Sequence, residues 1–374
     1  MPSWVVRKYQ EGDEQGISNL LMVVAGHSHS DSIWNWRYRK NPFGSIAGVA
    51  ESNGEIVGYM GLIAKPLKVM NKEIRGCEAV SLVVHPNFRR QGMFLAIGRY
   101  IMGEAEKQGL GICYGFPNVP AYGGHLKYGW FDAGRLPIFV KFVSVSSLRT
   151  DRVKDFLSKT WLKPLANFLD KRIFSFILRI LLFLYNGYCR VAYRLSDKLD
   201  GVKVSSIKCF DERFDDLWKA ASKGRKVMVV RNRQYLNWRY VEKPMALSSY
   251  VMFAAEKNDE VSGFIVLLCV KLDGMKYGFI VDLLTVPNDS ATVKALISRA
   301  LTYFKEQKVD LITCWMSGDT TCQRILRSFA FHLGKPEMFI ARVNSVDMTI
   351  FRPILQNIQN WYLTLGESDF DITF

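Results

Sequence analysis

The sequence predicts an α/β protein made of two copies of one mixed-sheet domain. Three observations support this: a repeated tetrapeptide, a strand–helix–strand pattern that recurs in each half, and the size and composition of the chain. Its 374 residues are 49% hydrophobic and 23% charged, as in folded globular proteins. At about 150 residues a domain, the length favours two or three domains.

The repeat begins with the tetrapeptide Asn-Trp-Arg-Tyr, which stands at 35–38 and returns at 237–240. Further matches follow in the same order and at nearly the same offset: Ala50-Glu51 with Ala255-Glu256, and Pro86-Asn87 with Pro287-Asn288. Ordered matches at one offset predict two copies of one fold. We place copy one at 1–146, a helical linker at 147–203, copy two at 204–348 and a C-terminal tail at 349–374.

Each copy shows the same order of elements. A helical start and the Trp-Arg-Tyr segment are followed by two strands around a turn, then by a long apolar strand, an amphipathic helix and a further strand. In copy one the last three are Val80–Val84, a helix with Phe94, Ile97, Ile101 and Ala105 on one face, and Ile112–Phe116; in copy two they are Phe279–Leu284, a helix over Val293–Phe304, and Leu311–Trp315. Strand, helix, strand predicts a right-handed crossover and a parallel pair in each sheet.

The linker has a different character from either copy. It is rich in Leu, Phe, Ile, Lys and Arg, and its longest uncharged run, 180–189, is far shorter than the roughly 20 residues of a membrane-spanning helix. Three interpretations remain open: a helix buried between the copies, a helix at 160–195 lying on an anionic membrane face, and an oligomer contact. The acidic end of the tail, Asp369-Phe370-Asp371, could fold back over a cleft.

Charge and cysteine content restrict the partners and the compartment. The formal charge of +15 and pI near 9.4 favour anionic partners: nucleic acid, an anionic membrane or phosphorylated small molecules. The seven cysteines are odd in number and contain no Cys-x-x-Cys pair. This argues against a secreted disulfide framework and a zinc knuckle, and the first residues do not resemble a signal peptide. We therefore expect a cytoplasmic protein with reduced thiols, peripheral to the inner membrane face if the linker binds lipid.

An anion-binding loop is predicted between the apolar strand and the helix of copy one. The run His85-Pro86-Asn87-Phe88-Arg89-Arg90-Gln91-Gly92-Met93-Phe94 connects them. A glycine at a helix entry lets the backbone approach a ligand, and the free amides of the first turn attract anions. Two arginines add positive charge, so a pyrophosphate suits this loop.

These residues resemble the acyl-CoA loop of the GCN5-related N-acetyltransferase (GNAT) superfamily, which runs Arg/Gln-x-x-Gly-x-Gly/Ala. Arg89 and Gly92 match, and Phe94 departs from the family's last small residue. The family's later signature is similar to Asn118, Ala121 and His125-Leu126-Lys127-Tyr128-Gly129-Trp130. The resemblance covers about 1–145 well and extends more weakly through the repeat to 204–348. It implies tandem GNAT-like domains, of which the second is degenerate.

The resemblance implies an acyl-CoA-dependent N-acyltransferase, specifically an N-acetyltransferase, in which an amine attacks the thioester of acetyl-CoA directly. It implies that backbone amides of one strand line the pantetheine and that the loop and a following asparagine hold the rest of the cofactor: Leu82, Val83 and Val84, then Arg89, Arg90, Gln91, Gly92, Met93 and Phe94, then Asn118. The acceptor would be a small-molecule amine, with an amino sugar as one possibility. No metal is implied.

Proton transfer needs an acid and a base. The family's acid aligns with His125, which could serve if its pKa lies near neutrality and could equally be structural. Tyr128 and Tyr122 are substitutes that could instead pack in the core. Glu78 begins the loop-preceding strand, where the family often places its base; the alternative is an ordinary surface glutamate.

Copy two is an internal control for these assignments. Arg89 to Gly92 become Ser290, Ala291, Thr292 and Val293, Glu78 becomes Phe279, and His125 becomes Leu326. The packing pattern persists while the ligand and proton groups disappear. Copy two is therefore expected to bind no CoA in this way, and to complete the acceptor cleft and stabilise the pair.

Two other functions remain open. An aminoacyl-tRNA-dependent transferase would suit the charge, although the intact Arg89–Gly92 pattern favours CoA over a nucleic-acid donor. A non-catalytic binding or membrane-surface module would suit the linker and Phe94. Trp34, Trp36 and Tyr38 are core residues or an aromatic wall for the acceptor. His27 and His29 have no further ligands nearby for a metal.

Overall fold

The computed structural model describes residues 4–143, 187, 201–244, 249–272 and 274–370. Its strands form two mixed sheets. In chain order the strands are β1 Val5–Lys8, β2 Ser45–Ser52, β3 Glu55–Val69, β4 Lys72–Val84, β5 Ile112–Gly115, β6 Phe131–Leu136, β7 Ile138–Phe142, β8 Lys203–Ile207, β9 Val227–Val229, β10 Val251–Lys257, β11 Glu260–Leu272, β12 Met275–Thr285, β13 Leu311–Trp315, β14 His332–Leu333, β15 Glu337–Val343 and β16 Trp361–Tyr362.

Helices alternate with these strands. The α-helices are α1 Glu14–Ala25, α2 Asp31–Trp34, α3 Met93–Lys107, α4 Val119–Leu126, α5 Arg213–Ala221, α6 Arg233–Leu236, α7 Ser290–Glu306, α8 Thr320–Ser328 and α9 Arg352–Leu355. Both copies of the repeated tetrapeptide begin a π-helix, at Asn35–Arg39 and Asn237–Val241, and each follows a four-residue α-helix. The same letters therefore fold in the same way at both places.

The chain forms two compact units, and each draws on several segments. Unit 1 comprises Met1–Leu136, Lys208–Ala246 and Pro336–Phe374; unit 2 comprises Pro137–Ile207 and Leu247–Lys335. These compact units are distinct from the two copies of the repeat, whose boundaries at 146, 203 and 348 stay a prediction. The interpretations of the linker concern residues that lie almost wholly outside the described part of the chain.

The sheet of unit 1 runs β1-β2-β3-β4-β5-β15-β6, and β9 joins it through β3. Strands β4 and β5 are parallel, as predicted for the strand–helix–strand unit. Strand β15, more than 190 residues after β6 in the sequence, lies between β5 and β6 and is antiparallel to both. Strands β4 and β5 thus lie in the interior of the sheet, each between two neighbouring strands.

The sheet of unit 2 runs β14-β7-β13-β12-β11-β10-β8. Its strands β12 and β13 are parallel, which confirms the predicted parallel pair of copy two. Strand β7 follows β6 after a single residue, yet it pairs with β13 in this sheet. The mixed α/β fold expected from the sequence is confirmed in both sheets.

The core of unit 1 is layered on both faces of its sheet. The predicted apolar face of α3 packs on one face, where Ile97, Ile101 and Ala105 are fully buried. Helices α1 and α2 cover the other face with Ile17, Leu20, Leu21 and Trp34. Successive residues of a strand point to opposite faces. Cys77 therefore faces α3, and Glu78 faces away from it.

The C-terminal segment packs within unit 1. Trp361, Leu363 and Glu367 are 0% exposed. The Glu367 carboxylate accepts hydrogen bonds from the Thr364 amide at 2.6 Å and from the Arg231 guanidinium at 2.6 Å. The capping box of Thr364 and Glu367, together with the buried ion pair to Arg231, holds residues 364–367 in place. The last described residues follow directly after this ordered turn.

The structure bears on the expected state of the thiols and on membrane-spanning helices. Cys77 and Cys113, opposite each other on β4 and β5, form a disulfide, so the prediction of reduced thiols is wrong for this pair. Residue spacing contains no signal for this pair, because the two cysteines are 36 residues apart and meet only through the parallel pairing of β4 and β5. No helix within the described ranges is long and apolar enough to cross a membrane.

Candidate active site

The site begins where β4 and β5 separate. Their parallel pairing ends at Glu78–Tyr114. Three residues later, Ser81 adopts a left-handed backbone with φ of 54°, and the register against β3 shifts, so that Ser81 and Leu82 lie opposite a single residue. A bulge of this kind bends a strand and locally interrupts its hydrogen-bond ladder. The cofactor candidates Leu82, Val83 and Val84 form the end of β4 after Ser81, where β4 is no longer paired with β5.

An open helix N-terminus follows at the next turn. Gly92 has φ of 82°, a conformation that L side chains rarely adopt, and no atom lies within 4 Å of where its Cβ would be. Within the described part of the chain, the backbone amides from Arg90 to Phe94 meet no acceptor. Arg89, Arg90 and Gln91 are exposed beside them. This arrangement suits an anionic group, because unpaired amides and the helix dipole both favour negative charge.

The two residues after Gly92 face inward. Met93 is 1% exposed and belongs to the core under α3. Phe94, half-buried, packs against Gly124 and meets the His125 ring edge to face, with the centroids 5.3 Å apart. The large residue that departs from the family pattern thus covers the candidate acid.

His125 and Tyr128 form a buried pair. The Tyr128 hydroxyl and His125 Nδ1 are 2.5 Å apart, and both residues are 6% exposed. Burial lowers the pKa of His125 to about 4 and raises the pKa of Tyr128. His125 is therefore neutral at pH 7. When the Tyr128 hydroxyl donates its hydrogen bond to Nδ1, the proton of the neutral ring is on Nε2, and this N–H can donate a hydrogen bond to a thiolate without transferring the proton.

Asn118 and Tyr122 have local partners. The Asn118 side chain caps α4 by accepting from the Ala121 amide at 3.0 Å, and Asn118 itself is exposed. Tyr122 is half-buried under the guanidinium of Arg135, 5.4 Å from its ring centroid. The capping bond explains Asn118 without a ligand, and its cofactor role stays a prediction.

Glu78 is buried, which contradicts its interpretation as a surface residue. Its side chain is 3% exposed, and Oε2 accepts a hydrogen bond from Lys65 Nζ at 2.6 Å. Burial raises the pKa of Glu78 to about 7, against the opposing effect of the Lys65 charge. A general base works best when its pKa lies near the working pH. Glu78 faces away from α3, whereas Tyr128 packs in the core beneath that helix, so the structure does not bring these candidates together.

Glu78 and Lys65 belong to a buried charge cluster, which we define as Arg37, Lys65, Glu78, Arg239 and Asp369. These side chains surround one small cavity of about 10 Å³ together with Trp36 and Trp238. The two tryptophans are stacked with centroids 4.8 Å apart, and Trp36 Nε1 donates to the Trp238 carbonyl at 2.7 Å. The two copies of the repeated tetrapeptide therefore meet at the wall of this cavity.

The family model described as an acetyltransferase (GNAT) domain matches residues 5–131. The match covers the strands and helices that build the candidate site, from β1 to the start of β6. No curated protein matches the chain.

Solved structures share the fold over most of the chain. A GCN5-related N-acetyltransferase from Anabaena variabilis is 13% identical, with a TM-score of 0.60 over 92% of this chain and 73% of that one. N-myristoyltransferase from Saccharomyces cerevisiae, with bound myristoyl-CoA and inhibitors, is 12% identical, with a TM-score of 0.61 over 92% of this chain and 80% of that one. A probable N-acyltransferase from Enterococcus faecalis is 11% identical, with a TM-score of 0.60 over 92% of this chain and 73% of that one. The chain therefore shares its fold with these structures.

The first turn of α7, the corresponding helix in copy two, differs from the first turn of α3. Asp289 caps α7, and its Oδ1 accepts from the Thr292 amide at 3.1 Å. The first turn of α7 thus has an anionic partner supplied by the chain, whereas the first turn of α3 has none within the described residues. The expectation that copy two binds no CoA in this way stays a prediction.

Sequence reasoning gave no site role to three members of the buried charge cluster, Arg37, Lys65 and Arg239; Asp369 belongs to the tail that was expected to fold back over a cleft. The repeat contained a signal, because Arg37 and Arg239 are the arginines of the two tetrapeptides, and both are at most 2% exposed. Trp34 and Trp36, the suggested aromatic wall, are buried, and Trp36 lines the cavity. His29 accepts from Arg37 at 3.3 Å, and burial lowers its pKa to about 3. The described residues contain no group of three or more metal-ligating side chains.

Proposed function

We propose that this chain is an acyl-CoA-dependent N-acyltransferase acting through its GNAT domain, with acetyl-CoA as the donor and a small-molecule amine as the acceptor. The observation that carries the proposal is the open N-terminus of α3, where the amides from Arg90 to Phe94 are unpaired within the described chain beside two exposed arginines. The pyrophosphate of CoA has the charge and size that such a turn favours.

The acyl group would lie where β4 leaves β5. The bulge at Ser81 interrupts the regular pairing of β4, and the strand end Leu82–Val84 supplies backbone groups for the pantetheine. The amine of the acceptor would attack the thioester carbonyl, forming the amide bond as the carbon–sulfur bond breaks. Glu78 would take the proton of the amine. The His125–Tyr128 pair lies on the α3 side of the sheet, away from Glu78, so its role toward the departing thiolate of CoA stays a prediction.

Acetyl is the proposed acyl group, and a longer chain is the alternative to test. A similar solved structure, N-myristoyltransferase, is titled with bound myristoyl-CoA, so the fold accommodates a long acyl chain in that protein. In the present chain the Phe94 ring packs against Gly124 and the edge of the His125 ring. A large side chain beside the candidate acid leaves less room there for a long acyl group.

Calorimetric titration with acetyl-CoA tests the proposal, using Gly92→Ala and the matched control Gly103→Ala. Both glycines have open space around the added Cβ, but Gly103 lies within α3 at ordinary backbone angles, whereas Gly92 has φ of 82°. We expect one site, weakened by about tenfold or more in Gly92→Ala and unchanged in Gly103→Ala.

Other outcomes decide between the alternatives. Absence of acetyl-CoA and myristoyl-CoA binding would overturn the proposal, and retardation of tRNA with a steep salt dependence would then support the aminoacyl-tRNA alternative. Tighter binding of myristoyl-CoA than of acetyl-CoA would overturn the acetyl assignment alone. Two sites would show that copy two also binds CoA.

A further inference from the structure

The buried charge cluster brings charges of both signs around one cavity. Arg37, Lys65 and Arg239 face Glu78 and Asp369 around a cavity of about 10 Å³. That volume has room for about one water molecule. A buried positive charge is costly unless an anion completes its hydrogen bonds. Among the described cations of the cluster, Arg37 has a buried hydrogen-bonding atom without a hydrogen-bond partner.

Arg37 has an unused hydrogen-bonding position. Its side chain is 1% exposed, and Nη1 shares a hydrogen bond with His29. Nη2 is buried and, in the described part of the chain, has no hydrogen-bond partner. The nearest carboxylate oxygen is Asp369 Oδ2 at 3.5 Å, which is too long for a strong charge-assisted hydrogen bond. The buried Arg37 guanidinium can therefore bind a second carboxylate more closely than it binds that of Asp369.

Asp369 can leave without disturbing the backbone beneath it. Lys65 Nζ donates to the Glu367 carbonyl at 2.9 Å, and the Arg239 guanidinium donates to the carbonyls of Gly366 and Ser368 at 3.0 and 3.3 Å. These bonds hold the chain before Asp369. The Asp369 side chain itself is 36% exposed, so rotating it toward solvent opens the space in front of Arg37.

We propose that Arg37 anchors a carboxylate of the acceptor, and that the Asp369 side chain occupies this position until the acceptor binds. The acceptor is then an amine that carries a carboxylate. Glu78 lines the same cavity, so an anchored carboxylate would bring the amine of such a molecule toward the candidate base. This inference rests on the proposed function for the identity of the acceptor, but the carboxylate site itself does not depend on it.

Acetate is the probe for the site, and tryptophan fluorescence is the readout, because Trp36 and Trp238 line the cavity. In the full-length chain, Asp369→Asn removes the competing carboxylate. We expect acetate to give a saturable fluorescence change in Asp369→Asn at a concentration about tenfold or more below that needed in the wild type. Sodium chloride at equal ionic strength should give none. Equal responses in the two proteins, or no saturable response in either, would overturn the proposal.

Arg37→Gln in the Asp369→Asn background tests the anchor directly. We expect the acetate response to disappear, with the fold checked by circular dichroism; a retained response would overturn the role of Arg37. If the double variant does not fold, the comparison between the wild type and Asp369→Asn still decides the question, since Asp369 is partly exposed.

A substrate comparison then separates this inference from the proposed function. Mixtures of amino acids and of their amides are supplied with acetyl-CoA, and release of free CoA is measured. Preference for the acids by about tenfold or more supports the inference. Equal acylation of both mixtures would overturn it while leaving the acyltransferase function intact. The acetate titration needs no acyl-CoA, so failure of acyl-CoA binding overturns the proposed function alone.

Discussion

Replacing Lys65 by methionine separates the charge of the Lys65–Glu78 pair from its packing. The two side chains are 2.6 Å apart, and each is 3% exposed. Methionine keeps an unbranched apolar side chain of similar length but removes the ammonium group. Glu78 would then be a buried carboxyl that has lost its hydrogen-bonded cation.

The size of the effect follows from the burial of the pair. An opposite charge in contact lowers the pKa of a carboxyl by about one to three units, so its removal should raise the pKa of Glu78 from about 7 by a similar amount. For a shift of two units, the ionised fraction at pH 7 falls about 50-fold. A base that must be ionised should lose rate at pH 7 by the same factor and recover it at higher pH.

The stability of the variant should depend on pH with a definite sign. The pKa of Glu78 is raised in the folded state, so the folded carboxyl holds its proton more tightly than the unfolded one. Stability is then highest below the unfolded pKa and falls as the pH rises through the folded pKa. Without Lys65 the fall continues to higher pH. Breaking a buried pair costs about 3–5 kcal/mol where Glu78 is charged.

Carbon-13 NMR of the glutamate carboxyls between pH 4 and 10 measures the effect without an acceptor. The Glu78 resonance is assigned by its loss in Glu78→Gln. Lys68→Met is the matched control, since Lys68 lies on the same strand and donates to the Arg225 carbonyl at 2.5 Å instead. A wild-type midpoint near 4.5, or the same midpoint in wild type and Lys65→Met, would refute the reasoning.

Two further predictions concern stability. Arg231→Met should lower the free energy of unfolding by about 3–5 kcal/mol, because it leaves the fully buried Glu367 without its partner at 2.6 Å. Arg135→Met should change the free energy of unfolding by less than about 1 kcal/mol, because the pair of Arg135 with Asp132 is largely exposed. Urea denaturation measures both variants, and similar losses of stability in the two would contradict this ranking. His125→Gln should remove part of the rise in stability between pH 4 and 6.5. The lowered pKa of His125 means that the unfolded chain binds the extra proton there, for a contribution of up to about 3 kcal/mol. Parallel pH–stability curves for the variant and the wild type would exclude this contribution.

Local pattern was enough to predict the scaffold of the candidate site. The spacing of Ile97, Ile101 and Ala105 predicted the buried face of α3, and the strands on either side of it are parallel as expected. The loop that ends at Gly92 was recognisable from residue types alone, because an open turn at a helix entry needs a glycine. These features depend on residues within a few positions of one another.

The environment of each candidate residue could not be predicted from the local sequence pattern. From the sequence, Glu78 could be a surface residue at a strand end. In the structure it is buried in contact with Lys65, which is thirteen positions earlier in the sequence and lies on the paired strand β3. The bulge at Ser81 has no marker residue, since serine rarely adopts a positive φ. The neutrality of His125 follows from Phe94, Tyr128 and Trp130 closing around it.

The sequence by itself determined the repeated α/β pattern, the parallel pair in each sheet and the open glycine loop, because periodicity and residue type encode which side of a helix or strand is buried. Only the tertiary structure decided the insertion of β15 beside β5 and the contact of Lys65 with the Glu367 carbonyl, 302 residues away. It also decided the meeting of the two tetrapeptides at Trp36 and Trp238. Pairing between distant segments depends on the burial and hydrogen bonding of the whole fold, which no local run of residues specifies.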